Sequence, residues 1–304
     1  MEATLLVREN EYSTGVEIRQ TQTETKTPAA GMEDGKEKLK EIVHECWRYI
    51  KPSRCKTIRL RVRAAFVAHG GVICVALEGW PRVMATMKRK LNAVSCFGKP
   101  ENKGSMFPKI SVACLADGES LTLEELRDVM RCCREASDAF AKQNDDDDDD
   151  DNSVLHFTQL DAIVYACRSL ERLLVTAPIR LLPDAPETIE MDCEDGDNDI
   201  DGGNEIDKEE RARIDVILSE ACDESHIDTY FPHVNVGRTE QHYREDACGA
   251  TLVACATRGE RAAHNSRVLA SILEPLQESI ERRFPSRFVF FTRSSLHVTL
   301  RAIL

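Results

Sequence analysis

Two residues that could bind phosphate or move protons stand two apart in the segment His297-Val298-Thr299-Leu300. Successive side chains of a β-strand point to opposite faces, so a strand here would present His297, Thr299 and Arg301 on one face. An imidazole exchanges protons near neutral pH, while hydroxyl and guanidinium groups donate hydrogen bonds to phosphate oxygens. The spacing therefore predicts either a catalytic half-site for phosphate chemistry or a plain polar strand face.

The elements that would position this segment follow from apolar periodicity. Strands are predicted at KTIRLRVRAAFVA, GVICVAL, PKISVACLA, APIRLLP, CGATLVACAT and SRFVFFTRSSLHVTLRAIL, with a short strand at FPHVNVGR and a strand followed by a short helix or turn in LHFTQLDAIVYACRSLERLLV. Helices are predicted at EKLKEIVHECWRYIK, WPRVMATMKRKLN, LTLEELRDVMRCCREASDAFAKQ, EERARIDVILSEAC and NSRVLASILEPLQESIERRF. Thr122 and Glu125 form a capping box at the start of the third helix, and Pro275 is expected to bend the last one.

Two stretches of the sequence share the order strand, strand, helix, strand, which predicts an α+β protein with two pseudo-symmetric lobes of antiparallel-rich sheet. The expected division is a disordered leader at 1–35, a first lobe at 36–182 with an acidic insertion at 143–153, an acidic flexible loop at 183–210 and a second lobe at 211–304.

Acidic residues are concentrated outside the expected folded body. The net charge is −13, and Asp145–Asp151, residues 192–210 and residues 1–45 carry −7, −9 and −4, so the rest of the chain carries +7. A basic body favours an anionic partner such as RNA or a nucleotide, although a solvated basic surface gives the same count. The acidic segments leave open a different function, an interaction protein that recruits basic partners.

The sequence predicts no metal and no cofactor. Its 12 cysteines show no C-x-x-C spacing and stand among apolar residues, as buried reduced thiols do in an intracellular protein. The segment 197–208 begins like a calcium loop but has Lys208 at the closing position, so it is interpreted as an acidic linker. No run of 18 apolar residues and no secretory signal are present, which predicts a cytoplasmic or nuclear protein without a membrane partner.

The region around 248–304, with its strand, long helix, aromatic-rich segment and His-Val-Thr-Leu strand, resembles one lobe of the 2H phosphoesterases. This superfamily includes RNA 2′,3′-cyclic phosphodiesterases and 2′-5′ RNA ligase-like proteins. A second likeness covers about 107–182. The resemblance implies outer helices around a central groove and a metal-independent phosphodiesterase acting on a cyclic phosphate or 2′-5′ linkage. It also implies lobes in the reverse of the usual order, which is a circular permutation.

In that family two His-x-Ser/Thr-x motifs face each other, and each histidine acts as an acid or a base. The resemblance implies that His297 and Thr299 are one catalytic motif. For the second motif the sequence offers Lys109 with Ser111, where a lysine replaces the histidine and would bind phosphate. The lysine departs from the family pattern, because its pKa near 10 makes it a poor base at neutral pH.

The other candidate for the second motif is His233-Val234-Asn235-Val236, in which an asparagine replaces the hydroxyl residue. The prediction slightly favours His233 and Asn235 as the catalytic partners of His297, with Arg238 and Arg301 binding phosphate. A surface histidine is an equally good interpretation of His233. The alternative function is that of a catalytically degenerate relative that binds RNA or a nucleotide in the same groove. This alternative is favoured if only Lys109 faces His297.

Overall fold

The computed structural model describes residues 57–93, 106–145, 150–181 and 204–302, together with the backbone of 5–6 and 17–20. The protein is α+β, with helices packed on an antiparallel sheet that curls into a half-barrel. No helix in these ranges is long and apolar enough to cross a membrane. The helix predicted at EKLKEIVHECWRYIK, most of the leader and most of the acidic loop lie outside the described residues.

The strands of the described residues are β1 (Leu5–Leu6), β2 (Glu17–Gln20), β3 (Ile58–Ala68), β4 (Val72–Leu77), β5 (Lys109–Leu115), β6 (Val154–Phe157), β7 (Gln159–Tyr165), β8 (Leu173–Arg180), β9 (Gly249–Cys255), β10 (Phe288–Phe290) and β11 (His297–Ala302). The helices are α1 (Arg82–Ala93), α2 (Leu123–Asp145), α3 (Lys208–Cys222), α4 (Ile227–Tyr230), α5 (Glu240–Arg244) and α6 (Ala262–Arg283). Short 3₁₀ turns span Asp150–Ser153, Glu224–His226, Phe231–His233 and Arg293–Ser295.

The strand order is β1-β2-β8-β7-β9-β11-β5-β4-β3-β6, and β10 pairs with β5 beside β11. The pairs are antiparallel, and β11 lies in the middle of the sheet between β9 and β5. Only Thr158 separates β6, at one end of the sheet, from β7 in the other half. This connection requires the sheet to curl, because one continuous segment of chain pairs with β3 at its start and with β8 and β9 at its end.

One main apolar cluster fills the space between the sheet and the long helices. It includes Val298 and Ile110 from the central strands, Val129 from α2 and Ile272 from α6. Alternation explains why β3 contributes: Ile58, Leu60 and Val62 are buried in turn while the arginines between them reach the surface. Burial of these aliphatic side chains is the main favourable free-energy term for a fold of this kind.

Most of the elements predicted from the sequence are present. The capping box of α2 is confirmed, since the Thr122 N–H donates to the Glu125 carboxylate at 2.7 Å and the Glu125 N–H donates to the Thr122 hydroxyl at 3.2 Å. Pro275 lies inside α6 as expected. The strand predicted at FPHVNVGR is wrong, because this segment forms a 3₁₀ turn and a loop.

The acidic insertion and the leader also differ from expectation at particular residues. Asp150 and Asp151 belong to a 3₁₀ turn that leads directly into β6, where the sequence predicted disorder. In the leader, β2 pairs with β8. The sheet is continuous across the expected boundary between the lobes, because β7 and β8 from the first segment lie beside β9 from the second.

Candidate functional site: the central strand pair

The central strands β5 and β11 pair through Val298 and Ile110, which lie directly opposite each other. On the outer sides of this pair, Ile110 pairs with Val75 of β4 and Val298 pairs with Ala254 of β9. All four side chains are at most 1% exposed and belong to the main apolar cluster. The middle residues of the two candidate motifs therefore anchor both strands on the core face of the sheet.

Residues that flank this pair must point to the opposite face, which we call the His297 face and define by His297, Thr299, Lys109 and Ser111. Continuing the antiparallel register places Thr299 opposite Lys109 and His297 opposite Ser111. All four side chains are half-buried. The sequence prediction that favoured His233 over Lys109 is therefore wrong about which segment lies beside His297.

His297 is held as a neutral imidazole with a defined orientation. Its Nδ1 lies 2.7 Å from the carbonyl oxygen of Ser295, and its Cα pairs with Cys255 of β9. Burial lowers the pKa of His297, and the Ser295 carbonyl opposes this effect. With the proton on Nδ1 donated to Ser295, the lone pair of the neutral ring lies on Nε2. Such a ring can accept a proton at neutral pH.

Lys109 is a partly desolvated cation beside other cations. Its Nζ lies 3.9 Å from the centre of the Phe107 ring. Burial lowers the pKa of Lys109; the Cys74 thiol opposes this shift, and the positive charges of Arg238 and Lys88 lower the pKa further. Among the described residues, the two cations Arg238 and Lys88 therefore act on Lys109. A local excess of positive charge favours the binding of an anion.

Ser111 shares the His297 face with Cys74 of β4, its partner in the strand register. The Cys74 sulfur lies 3.7 Å from the Ser111 hydroxyl oxygen. Burial raises the pKa of Cys74, so the group is a neutral thiol at physiological pH. Ser111 therefore lies next to a weak hydrogen-bonding group. Its hydroxyl can donate a hydrogen bond to a ligand and lose only this weak contact with Cys74.

Arg301 does not share the His297 face, which corrects the prediction that it binds phosphate beside Thr299. Thr299 pairs with Val253 of β9, and Arg301 pairs with the next residue of β9, Leu252. Leu300 is therefore an extra residue on β11 without a partner on β9. The resulting bulge at Leu300 turns Arg301 to the opposite face. Arg301 is 3% exposed there, and its guanidinium donates to the carbonyl of Ala302 at 3.0 Å.

His233 lies in the 3₁₀ turn Phe231–His233 and is exposed. Its ring stacks on His69 with the ring centres 4.8 Å apart, next to the turn that joins β3 to β4. Asn235 has a structural role instead of a catalytic one: its side-chain oxygen accepts from the Leu121 N–H at 2.9 Å and its amide donates to the Leu121 carbonyl at 2.7 Å. These two residues tie a surface segment to β3 and to the start of α2.

Arg238 is the one predicted residue of the 233–238 segment whose charge acts on the His297 face, through the pKa of Lys109. Its side chain packs over Gly70, where an added Cβ would lie 2.7 Å from the Arg238 Cγ and Cδ atoms. Gly70 also has a φ of +82°, and its N–H donates to the His233 carbonyl at 2.7 Å. A glycine is needed here for both reasons, and the close contact places Arg238 against the β3–β4 turn.

Two residues of this region gave no recognised signal in the sequence. Lys88 of α1 is 5% exposed; its Nζ contacts the carbonyl of Leu300 at 2.5 Å and lies 4.6 Å from the centre of the Trp80 ring. Asp161 of β7 is fully buried and pairs with Val253 on the face that carries Thr299. An acidic residue inside the apolar strand QLDAIVY was the available signal for Asp161.

Comparison with protein-family models, curated proteins and solved structures finds no match to this chain.

Proposed function

We propose that the His297 face binds a phosphodiester of RNA or of a nucleotide. The observation that carries this proposal is the juxtaposition of Lys109 and Ser111 with Thr299 and His297 on adjacent central strands. Two hydroxyl groups, an imidazole and an ammonium group form a donor set that suits phosphate oxygens. The like charges near Lys109 supply a further electrostatic attraction for an anion.

The strand pairing also supports a pseudo-symmetric arrangement of the 2H type. A local two-fold axis through the Val298–Ile110 pair would exchange His297 with Lys109 and Thr299 with Ser111. The same operation would exchange β9 with β4, the strands that flank the pair. In this proposal Lys109-Ile110-Ser111 is the second, degenerate motif.

Binding without cleavage is favoured because the histidine of the second motif is a lysine. Two-histidine catalysis needs two imidazoles within reach of one phosphate. Among the described residues on the central strand pair, His297 is the sole histidine, and His233 contacts the β3–β4 turn instead. A lysine at the second position retains the phosphate contact while it changes the proton chemistry.

A second candidate is hydrolysis with Lys109 as the acid, favoured by the lowered pKa of Lys109 and of His297. In this reaction His297 Nε2 takes a proton from water, and the water oxygen forms a bond to phosphorus. The bond from phosphorus to the leaving oxygen breaks, and Lys109 Nζ supplies the proton to that oxygen. This would be a metal-independent reaction with one histidine.

The test measures binding of a labelled RNA oligomer that ends in a 2′,3′-cyclic phosphate, with EDTA present. We expect Lys109→Met to weaken binding by about 10-fold or more, because a charge-assisted hydrogen bond contributes roughly 1.5–3 kcal/mol. Thr299→Val should weaken binding by a smaller factor. His233→Gln is the matched control and should bind like the wild type; equal losses in Lys109→Met and His233→Gln would contradict the proposed site.

The same samples separate binding from turnover. Ring opening by the wild type that is lost in both His297→Gln and Lys109→Met would establish the hydrolytic candidate. Retained binding without ring opening would establish a phosphate-binding protein. Circular dichroism and the midpoint of thermal unfolding, Tm, of each variant identify losses that come from misfolding.

A further inference from the structure

Three side chains with metal-ligating atoms meet at the start of β6, away from the β5–β11 pair. Asp151 belongs to the 3₁₀ turn Asp150–Ser153, His156 to β6 and His264 to the first turn of α6. One potential ligand atom from each lies within 4.8 Å of the other two. The fold therefore brings two imidazoles and one carboxylate together from three separate elements.

His156 is the best-fixed member of this group. It is 6% exposed, and the side chain of Asn265, which is fully buried, accepts from its N–H and donates to its carbonyl, both at 2.8 Å. Nε2 of His156 lies 2.5 Å from Oδ1 of Asp151, so the ring nitrogen and the carboxylate already face each other.

His264 is oriented by a backbone contact of the kind that metal-ligating histidines make. Its Nε2 lies 2.9 Å from the carbonyl oxygen of Val154, so Nε2 carries the proton and Nδ1 carries the lone pair. Histidine ligands of metals commonly donate the other ring N–H to a backbone carbonyl or a carboxylate. The rings of His156 and His264 meet edge to face with their centres 5.0 Å apart.

We propose that Asp151, His156 and His264 form a binding site for a divalent transition-metal ion, with Zn²⁺ as the ion that suits the ligands best. Two imidazoles and one carboxylate are a ligand set that Zn²⁺ uses, and three protein ligands leave a coordination position for water. Typical Zn–N and Zn–O distances of about 2.0–2.2 Å place tetrahedral ligand atoms roughly 3.3–3.5 Å apart. Nε2 of His156 and Oδ1 of Asp151, which are 2.5 Å apart, would therefore separate slightly to hold the ion.

The surrounding charges are compatible with this site. His156 pairs in register with Arg59 of β3, and Asp151 supplies the negative charge of the group. Neutral imidazole and ionised carboxylate are the forms in which these residues bind a metal. The bound ion would join the starts of β6 and α6 to the end of the aspartate run.

The sequence predicted no metal because these residues do not stand at the spacing of a zinc motif. His156 and His264 are separated by more than a hundred positions, and neither neighbours a cysteine or a second histidine. Pairing of β6 with β3 and packing of α6 against β6 bring the two histidines together. The site is independent of the proposed phosphate site, whose test is made in EDTA.

The experiment titrates ZnCl₂ into metal-free protein by calorimetry, in a Cys248→Ser background that removes an exposed thiol. We expect one equivalent of Zn²⁺ and an increase in Tm. Asp151→Asn and His264→Gln should each weaken binding by about 10-fold or more, because loss of an outer-shell partner already costs about 10–100-fold in affinity and loss of a ligand costs at least as much. His233→Gln, a surface histidine elsewhere, is the matched control and should bind like the parent.

Replacement of Zn²⁺ by Co²⁺ identifies the ligand atoms, because the absorption spectrum of bound Co²⁺ depends on them. The proposed nitrogen and oxygen ligands should give the visible bands of a low-coordinate Co²⁺ without the near-ultraviolet charge-transfer band of a thiolate. The proposal is overturned if the parent binds no stoichiometric Zn²⁺, if both ligand variants bind as tightly as the parent, or if the thiolate band appears.

Discussion

Asn235 shows why the role of a single residue depends on the backbone it contacts. Its amide group makes both of its protein hydrogen bonds with the backbone of Leu121, a buried residue just before α2. The sequence offered the same residue as a catalytic partner of His297 because it stands two positions after a histidine. A side chain that hydrogen-bonds to a distant backbone segment leaves no signal in the spacing of residues along the sequence.

We expect Asn235→Ala to lower the free energy of unfolding by about 1–3 kcal/mol, because the Leu121 N–H and carbonyl would lose their partners. Binding of RNA at the His297 face should be unchanged. Urea denaturation gives the stability, and Val236→Ala, at a side chain that is 62% exposed, is the control. A normal stability combined with weakened RNA binding would restore Asn235 to the ligand site.

A second residue-scale prediction concerns Asp161, whose carboxyl group is fully buried with Oδ2 lacking a hydrogen-bond partner. Burial raises the pKa of Asp161, while Arg258 and the Gln159 amide oppose the shift. A raised carboxyl pKa means that ionisation favours the unfolded state. This destabilisation is absent below the unfolded pKa of 3.8, develops as the pH rises through the folded pKa and is complete above it.

We therefore expect Asp161→Asn to raise Tm at pH 7, and the gain to disappear as the pH falls toward 3.8. Thermal unfolding as a function of pH checks this, with the exposed Asp138→Asn as the control. A lower Tm at pH 7 would show that the contacts with Gln159 and Arg258 outweigh the cost of burying the charge.

At the scale of elements, α6 contains a proline on its exposed side. Pro275 lies inside the helix Ala262–Arg283, where it cannot donate the N–H that the carbonyl of Ser271 would otherwise receive. Its neighbours Leu273 and Leu276 are buried in the main apolar cluster. Packing of these leucines holds the helix together across the missing hydrogen bond.

We expect Pro275→Ala to raise the free energy of unfolding by about 1–3 kcal/mol, since proline is roughly 3 kcal/mol less favourable than alanine inside a helix. Urea denaturation measures the change, and Glu274→Ala, at the exposed neighbouring position, is the control. A destabilised variant would mean that the two leucines pack better with proline than with alanine at position 275.

The helices and strands were easier to predict from the sequence than the way in which they pair and pack. The alternation in β3 and the capping residues of α2 depend on neighbours a few positions apart, so local patterns contain them. The bulge that turns Arg301 away depends on pairing with β9, which strict alternation cannot show. In the segment HVNV, Val234 is buried and Val236 is exposed, since a turn replaces the predicted strand.

At the scale of the whole molecule, the candidate site could be predicted only in part. His297 and Thr299 were identified from their own spacing, and Lys109 and Ser111 were alternatives. Which segment lies beside β11 is decided by long-range strand pairing, which the local patterns of the sequence do not reveal. The same holds for the group of Asp151, His156 and His264, which three distant elements assemble.

The continuous sheet also predicts that the two expected lobes cannot fold separately. β7, from residues 36–182, pairs along its length with β9, from residues 211–304, so each fragment alone would expose a long strand edge. We expect both fragments to lack cooperative unfolding when isolated, and to regain it when they are produced together. Calorimetry of each sample checks this; a fragment with its own sharp transition would contradict it.

The central position of β11 has a consequence for the order of events during biosynthesis. β11 follows every other described strand in the chain, yet it joins β9 to β5. Until β11 has been made, one edge of β9 and most of one edge of β5 are unpaired, and such edges are prone to aggregate. Completion of the sheet therefore comes late in folding, and the long-range pairing of β11 with β5 makes this step slow. Yield in cells should depend on chaperones that shield these two strands during that interval.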